Sequence, residues 1–187
     1  MGRLRYATIC SLDGYVADAS GDFQWAAPDA EVHAFVNDLE RDVGTYLYGR
    51  RIYEVMTVWQ DWPGPNDDEP AEVHDYARLW RAADKVVYST TLAAVSTPRT
   101  QLQRRFDPAE VRDLLDAADR DVSISGPTLA AAALHAGLVD DVTLLLVPEI
   151  VGGGTPALPD ELRLGLDLVD VRRFGSGVVM LGYRPRR

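Results

Sequence analysis

Two hydrophobic rhythms alternate along the chain. LRYATIC (residues 4–10), TYLYG (45–49), KVVYS (85–89) and VSIS (122–125) are short β-branched and aromatic runs of the strand type. VTLLLVPEIV (142–151) is almost wholly apolar, as a strand covered on both faces requires. Helical spacing takes over between them. Behind Asp29, a capping residue, Val32, Phe35, Val36, Leu39 and Val43 recur on one face and stop at Gly44. RRIYEVM (50–56) opens a helix directly from the second strand, and residues 71–83 are amphipathic. Asp107-Pro108-Ala109-Glu110 sets a cap, then a proline at the first helical position and a glutamate at the third. TLAAAALHAG (128–137) predicts a further helix stopped by Gly137. Residues 59–70, with three prolines and four acids, read as an exposed loop, and LDLVDVRRFGSGVVMLGYRP (166–185) as two strands about a Gly-Ser-Gly turn. The alternation predicts one α/β domain over residues 1–187, with a mostly parallel sheet and an antiparallel edge.

Composition narrows the class. A chain of 187 residues, 47% apolar and 26% charged, can bury a sizeable core. Its formal net charge of −10 excludes nucleic acid or an anionic membrane surface as the main partner. A small anionic ligand remains compatible, because arginines and helix N-termini bind phosphate whatever the overall sign. Cys10 lies in an apolar run and reads as a buried thiol; a lone cysteine fits a reducing compartment. The first strand starts by Leu4, with no room for a leader before it, and no run approaches the roughly 20 apolar residues of a membrane span. A cytoplasmic location is the expectation. His33, His74 and His135 show no ligand spacing, so no metal site is expected. Neither a G-x-G-x-x-G nor a Walker A sequence is present.

Candidate chemistry gathers where strands end. At Tyr48-Gly49-Arg50-Arg51 two arginines enter the first turn of a helix, where cations oppose the dipole unless an anion is bound. Ser89-Thr90-Thr91 places three hydroxyls after the third strand, either as caps or as phosphate contacts. Ser125-Gly126-Pro127-Thr128-Leu129 joins strand to helix through a glycine that lets backbone approach a ligand, with new helical amides just beyond. Gly152, Gly153 and Gly154 leave the apolar run as a flexible turn or as a ligand contact. Trp25 either staples the first loop to the core or closes over a planar ligand, with Asp13 and Gly14 at the loop's start. Asp29 and Glu31 are the nearest carboxylates to that loop, the first a helix cap, the second a first-turn acid.

SLDGYVA (11–17), YGRRIYE (48–54), KVVYSTTL (85–92), GPTLAAAALHAGLVDDVTLLLVPEIVGGGTP (126–156) and FGSGVVMLGYRP (174–185) together resemble the dihydrofolate-reductase-like superfamily. Within it the chain is similar to the reductase domain of bacterial riboflavin-biosynthesis deaminase–reductases and their stand-alone relatives. The resemblance implies a mixed sheet of about eight strands with helices on both faces and an antiparallel C-terminal hairpin. It implies NADPH as cofactor. Gly49, Arg50 and Arg51 would meet the adenosine-side phosphates, Ser89, Thr90 and Thr91 the 2′-phosphate, and Ser125 to Leu129 the pyrophosphate. Asp13 and Gly14 would lie in a mobile loop near the nicotinamide, with Gly152 and Gly153 facing it. Homodimers are common in the family and are expected here.

The same resemblance also marks departures. Ala7 stands where riboflavin-pathway reductases carry a lysine for the substrate's ribose phosphate, and Ser125 where they carry an acid. Ala30 stands where dihydrofolate reductases place a carboxylate, and the zinc-dependent deaminase domain is absent from this sequence. The expected activity is hydride transfer from NADPH to a C=N or C=O bond of a small, pterin- or pyrimidine-like molecule, with Asp13, Glu31 or water as proton source. The alternatives are a 5-amino-6-(5-phosphoribosylamino)uracil reductase proper and a non-catalytic nucleotide-binding protein. The superfamily's paired small residues, joined by a cis bond in dihydrofolate reductases, become Gly126-Pro127 here, which predicts a cis Gly126–Pro127 bond.

Overall fold

The computed structural model describes residues 1–64 and 66–186. Strand β1 (Leu4–Ser11) leads through the short β2 (Tyr15–Ala17) and a 3-10 turn (Gln24–Ala26) into α1 (Ala30–Glu40). β3 (Val43–Gly49) passes straight into α2 (Arg50–Met56), and a second 3-10 turn (Thr57–Gln60) precedes α3 (Ala71–Ala82). Then come β4 (Asp84–Tyr88), β5 (Thr100–Gln103), α4 (Pro108–Ala117), β6 (Asp121–Ser125), α5 (Pro127–His135) and β7 (Asp141–Val147). The short β8 (Thr155–Pro156) is followed by the hairpin of β9 (Leu166–Arg173) and β10 (Val179–Pro185).

Eight strands form one sheet in the order β5-β4-β3-β6-β1-β7-β10-β9, while β2 and β8 pair separately. Neighbours from β5 to β7 are parallel; β10 runs antiparallel to both β7 and β9. This is the mixed, mostly parallel sheet with an antiparallel C-terminal hairpin that the family resemblance implied. Strand alternation then assigns the helices to layers. Tyr46 and Tyr48 of β3 and Val87 of β4 pack with Tyr53 of α2 and with Tyr76 and Trp80 of α3. Val36 of α1 joins that cluster to a second, in which Val32 meets Leu145 and Val147 of β7. The opposite face carries Leu4, Tyr6, Leu47 and Ile124 against Val111 and Leu115 of α4 and Leu129 and Ala133 of α5. Among the described residues no helix is long and apolar enough to cross a membrane.

Two element ends differ from expectation. α1 stops at Glu40, short of Gly44, because Val43 belongs to the buried row of β3 with Tyr46 and Tyr48 and continues the helical spacing only by coincidence. β7 stops at Val147, since Pro148 has no N–H for the ladder, and residues 148–151 leave the sheet. The first part of the predicted exposed loop is packed as well: Trp59 rests 4.8 Å from the ring of Tyr76 and 6.1 Å from His33. Asp29 and Asp107 cap α1 and α4 as expected, accepting from the amides of Val32 and Ala109. Cys10 is buried in β1, and that burial pushes its thiol up to about 11.

The last residue of α1 carries an unusual burden. Glu40 is 8% exposed, and its carboxyl lies buried beside the hydroxyl of Tyr46. Desolvation pushes its carboxyl up to about 7 from the ordinary 4.5, against the downward pull of Arg5. Between those two values the folded protein holds a proton that the unfolded chain has lost. Stability therefore falls as pH rises through that window and levels off above it. Glu40→Gln stays neutral throughout, so it should match the wild type near pH 5 and exceed it near pH 8 by on the order of 3 kcal/mol in urea denaturation. The same difference at both pH values would contradict a protonated, buried Glu40.

Candidate active site

The segments singled out in the sequence end up side by side. They sit at the carboxyl ends of β4, β3, β6, β1 and β7, five consecutive neighbours in the sheet. The adjacent strands β3 and β6 send α2 and α5 to opposite faces, which opens a crevice at their ends.

At the centre of the crevice two turns pack back to back. Gly126 has φ +95°, and a Cβ there would lie 3.2 Å from Cγ2 of Ile52 and 3.7 Å from the backbone nitrogen of Gly49. A Cβ on Gly49 would in turn lie 4.0 Å from Cβ of Leu129. α5 begins at Pro127, where a missing N–H costs nothing, and the amides of Thr128 and Leu129 in the first turn have no intrahelical acceptor. The expectation of a cis Gly126–Pro127 bond is overturned: that bond is trans, and Trp62–Pro63 is the cis bond among the described residues. The left-handed backbone of Gly126 makes the change of direction itself and delivers a trans proline into the helix.

Arg50 and Arg51 stand exposed on the first turn of α2. Arg50 reaches Glu54 across 3.3 Å, while Arg51 makes no ion pair among the described residues. One strand over, Ser89 is buried and its Oγ accepts from the amides of Leu92 (2.9 Å) and Thr91 (3.2 Å). Arg104 donates to the carbonyls of Leu92 and Ser89 at 2.6 and 3.2 Å. Ser89 and Arg104 thus shape the turn and leave Thr90 and Thr91 as its exposed hydroxyls. Arg104 escaped sequence reasoning because it follows β5, a strand without an apolar signature.

At the other end, the loops after β1 and β7 are fastened together. The carboxylate of Asp13 accepts from the amides of Gly152 (2.8 Å) and Val151 (3.2 Å). A hydrogen bond with Ser11, and then those amides, hold its carboxyl below the ordinary range. Beyond it β2 pairs with β8, and the amide of Ala157 donates to the carbonyl of Gly14 at 2.8 Å. Gly154 admits no side chain, since a Cβ would fall 2.1 Å from the carbonyl oxygen of Ala17. Asp13 is therefore an ionised clamp on the glycine loop. Glu31 is engaged too: it pairs with Arg172 at 3.3 Å and accepts from the amide of Gly175 at 3.0 Å, tying α1 to the β9–β10 turn.

Between those parts lies a cleft of about 160 Å³. Ile9 and Val147 form its floor, Trp25 to Asp29 and Val32 one wall, and Pro148, Glu149, Ser176 and Val178 the other. Trp25 both lines the cleft and packs against the α1–β7 cluster, its indole N–H donating to the carbonyl of Asp22 at 3.0 Å. Asp29 is held below the ordinary carboxylate range by the amide of Val32, with a further hydrogen bond from Ser176. Glu149 is the residue the sequence hid, inside an apolar run that read as strand throughout.

Residues 3–180 match the family model of the RibD C-terminal domain. The protein YyaP of Bacillus subtilis (strain 168), itself described as uncharacterized, is 27% identical over 175 residues, covering 92% of this chain and 89% of its own. The fold is shared with a putative riboflavin biosynthesis protein from Shewanella sp. PV-4, at a TM-score of 0.76 and 20% identity over 99% of both chains. It is also shared with the diaminohydroxyphosphoribosylaminopyrimidine deaminase/5-amino-6-(5-phosphoribosylamino)uracil reductase of Thermotoga maritima, at a TM-score of 0.64 and 18% identity. Nearly all of this chain, 99%, spans 57% of that longer protein.

The Asp13 clamp has a direct readout. Asp13→Ala should raise amide hydrogen exchange at Val151 and Gly152 by roughly tenfold while leaving β1 and β7 protected, as loss of charge-assisted hydrogen bonds requires. Unchanged exchange would mean that the β2–β8 pairing alone holds the loop.

Proposed function

Since this chain belongs to the RibD C-terminal domain family, we propose that it is a single-domain reductase that moves a hydride from NADPH to a C=N or C=O bond of a small molecule. What supports the reading most is the back-to-back packing of Gly49 and Gly126 at the centre of the crevice. There a Cβ-free surface adjoins the unpaired amides of Thr128 and Leu129, with Arg50 and Arg51 beside them. Those features fit a pyrophosphate: helix N-terminal amides and guanidinium forks are both anion donors. Thr90 and Thr91, on the next strand outward, would take the 2′-phosphate, with Ser89 and Arg104 fixing their loop.

NADPH, when bound, supplies the hydride. The chain's own contribution is position and shielding. The clamped loops carrying Asp13, Gly14, Gly152 and Gly153 would border the nicotinamide, and the cleft beside Trp25 would hold the acceptor. Asp13 and Glu31 are both engaged in holding other segments, so water reaching the cleft mouth is the proton source in this scheme. The uracil-reductase reading takes its motive from the Thermotoga relative's name; Ala7 and Ser125, in place of a lysine and an acid, disfavour it here.

Titrating NADPH and NADH into the wild type, Arg51→Ala and Thr90→Ala tests the cofactor assignment. Thr90→Ala should lower the NADPH-over-NADH preference by roughly tenfold, the worth of one hydrogen bond to a charged group, while Arg51→Ala should weaken both cofactors alike by about as much. A preference untouched by Thr90→Ala would put the 2′-phosphate elsewhere, and NADPH and NADH affinities untouched by Arg51→Ala would do the same for the pyrophosphate. NADPH binding without oxidation across pterins, pyrimidines and quinones would favour a non-catalytic protein.

A further inference from the structure

The walls of the cleft carry a charge pattern that bears on what enters it. Among the described residues no lysine, arginine or histidine lines it; its polar side chains are Asp29, Glu149 and Ser176, set among Ile9, Val147 and Trp25. Asp29 is committed to the amide of Val32 at 2.8 Å and to Ser176. The carboxylate of Glu149 has no hydrogen bond or ion pair among the described residues, while its backbone is anchored on both sides. Its amide donates to the carbonyl of Val147 at 2.8 Å, and its carbonyl accepts from Leu12 at 2.7 Å. A fixed backbone thus presents an uncommitted anion at an apolar wall. The nearby cation, Arg172, is taken up by Glu31 at 3.3 Å and by the rings of Phe174 and Phe35, at 4.7 and 5.2 Å.

We propose that the cleft selects a planar, phosphate-free ring that is neutral or cationic, with Glu149 as its charge partner. The proposal rests on the reductase reading only for the statement that this ring is the hydride acceptor. A phosphate or carboxylate in this place would lie beside two carboxylates with no available cation, a repulsion that rejects it. Size points the same way. At about 160 Å³ the cleft falls below the roughly 300–1,000 Å³ of sites for drug-sized ligands, so it admits one or two fused rings. Leu12 and Ile150, which flank the Glu149 anchor, are exposed apolar side chains, at 59% and 73%.

Isothermal titration with two probes on one ring system isolates the charge: 4-aminoquinoline, a cation at neutral pH, and quinoline-4-carboxylate. The wild type should bind the cation at least about tenfold more tightly. Glu149→Gln should erase that preference and Glu149→Lys should invert it; the side chain is exposed, and thermal melts verify that both variants fold. The proposal is overturned if the wild type binds the anion equally or better, if it binds neither ring, or if both variants keep the wild-type preference. NADPH is titrated separately into the wild type. Failure there would sink the reductase reading, while the ring titrations judge the cleft on their own.

Discussion

The carboxyl edge of the sheet is organised by one close approach. β6 lies between β3 and β1, and its exit turn packs closely on that of β3, where a Cβ on Gly126 would sit 3.2 Å from Ile52 Cγ2 and 3.7 Å from the Gly49 nitrogen. Parallel pairing sets the strands about 4.8 Å apart, so the two helix starts lie close together. Gly126 turns there in a left-handed conformation that another residue would adopt at a cost. The starts of α2 and α5, with Arg50 and Arg51, lie beside this contact. A larger residue at position 126 would strain the backbone at its φ of +95° and press on Ile52.

The other half of the edge is held by a different device. Loops after β1 and β7 have no helix start to order them, and their glycines would favour many conformations. Asp13 and the short β2–β8 pairing supply the missing order from outside the main sheet. Such ordering constrains chemistry. A carboxylate that accepts two amides is favoured in its ionised form, so the residue that aligns the loop is poorly suited to deliver a proton. Glu31 faces the same conflict, since its partners belong to the β9–β10 turn.

How far these features could be read from sequence depends on the range of the interaction behind them. Asp29 and Asp107 were legible because a cap acts on amides two or three residues away. The arginines and the Gly-Pro joint were legible because strand-to-helix exits have local composition. The end of α1 was not, because Val43 satisfies helix spacing and strand burial alike, and only its partners in β3 decide. β5 was invisible: TQLQ sits at the sheet's edge with two exposed glutamines, so burial left no pattern. Asp13's task depends on residues 138 and 139 positions away, and no local rule reaches that far. Pro127 misled because a cis bond and a left-handed glycine solve the same geometric problem, and the chain uses the glycine.

Overall charge hides a division that the fold makes plain. The chain's net −10 suggests a uniformly acidic surface, yet the edge is sorted. Arg50, Arg51 and Arg104 gather at the ends of β3, β4 and β5, whereas Asp13, Asp29 and Glu149 gather at the ends of β1 and β7. On the proposed reading an anionic cofactor and a ring acceptor would share one crevice, and the opposite charges at its two ends would discourage an exchange of places through both attraction and repulsion. Ala7 and Ser125 fit this arrangement. Where the resemblance implies a lysine in β1 to receive a phosphate, this chain has Ala7, and among the described residues the charged side chains lining the cleft are Asp29 and Glu149. The two ends therefore bear different constraints, and a family resemblance that is strong at the cofactor motifs carries less weight for the substrate.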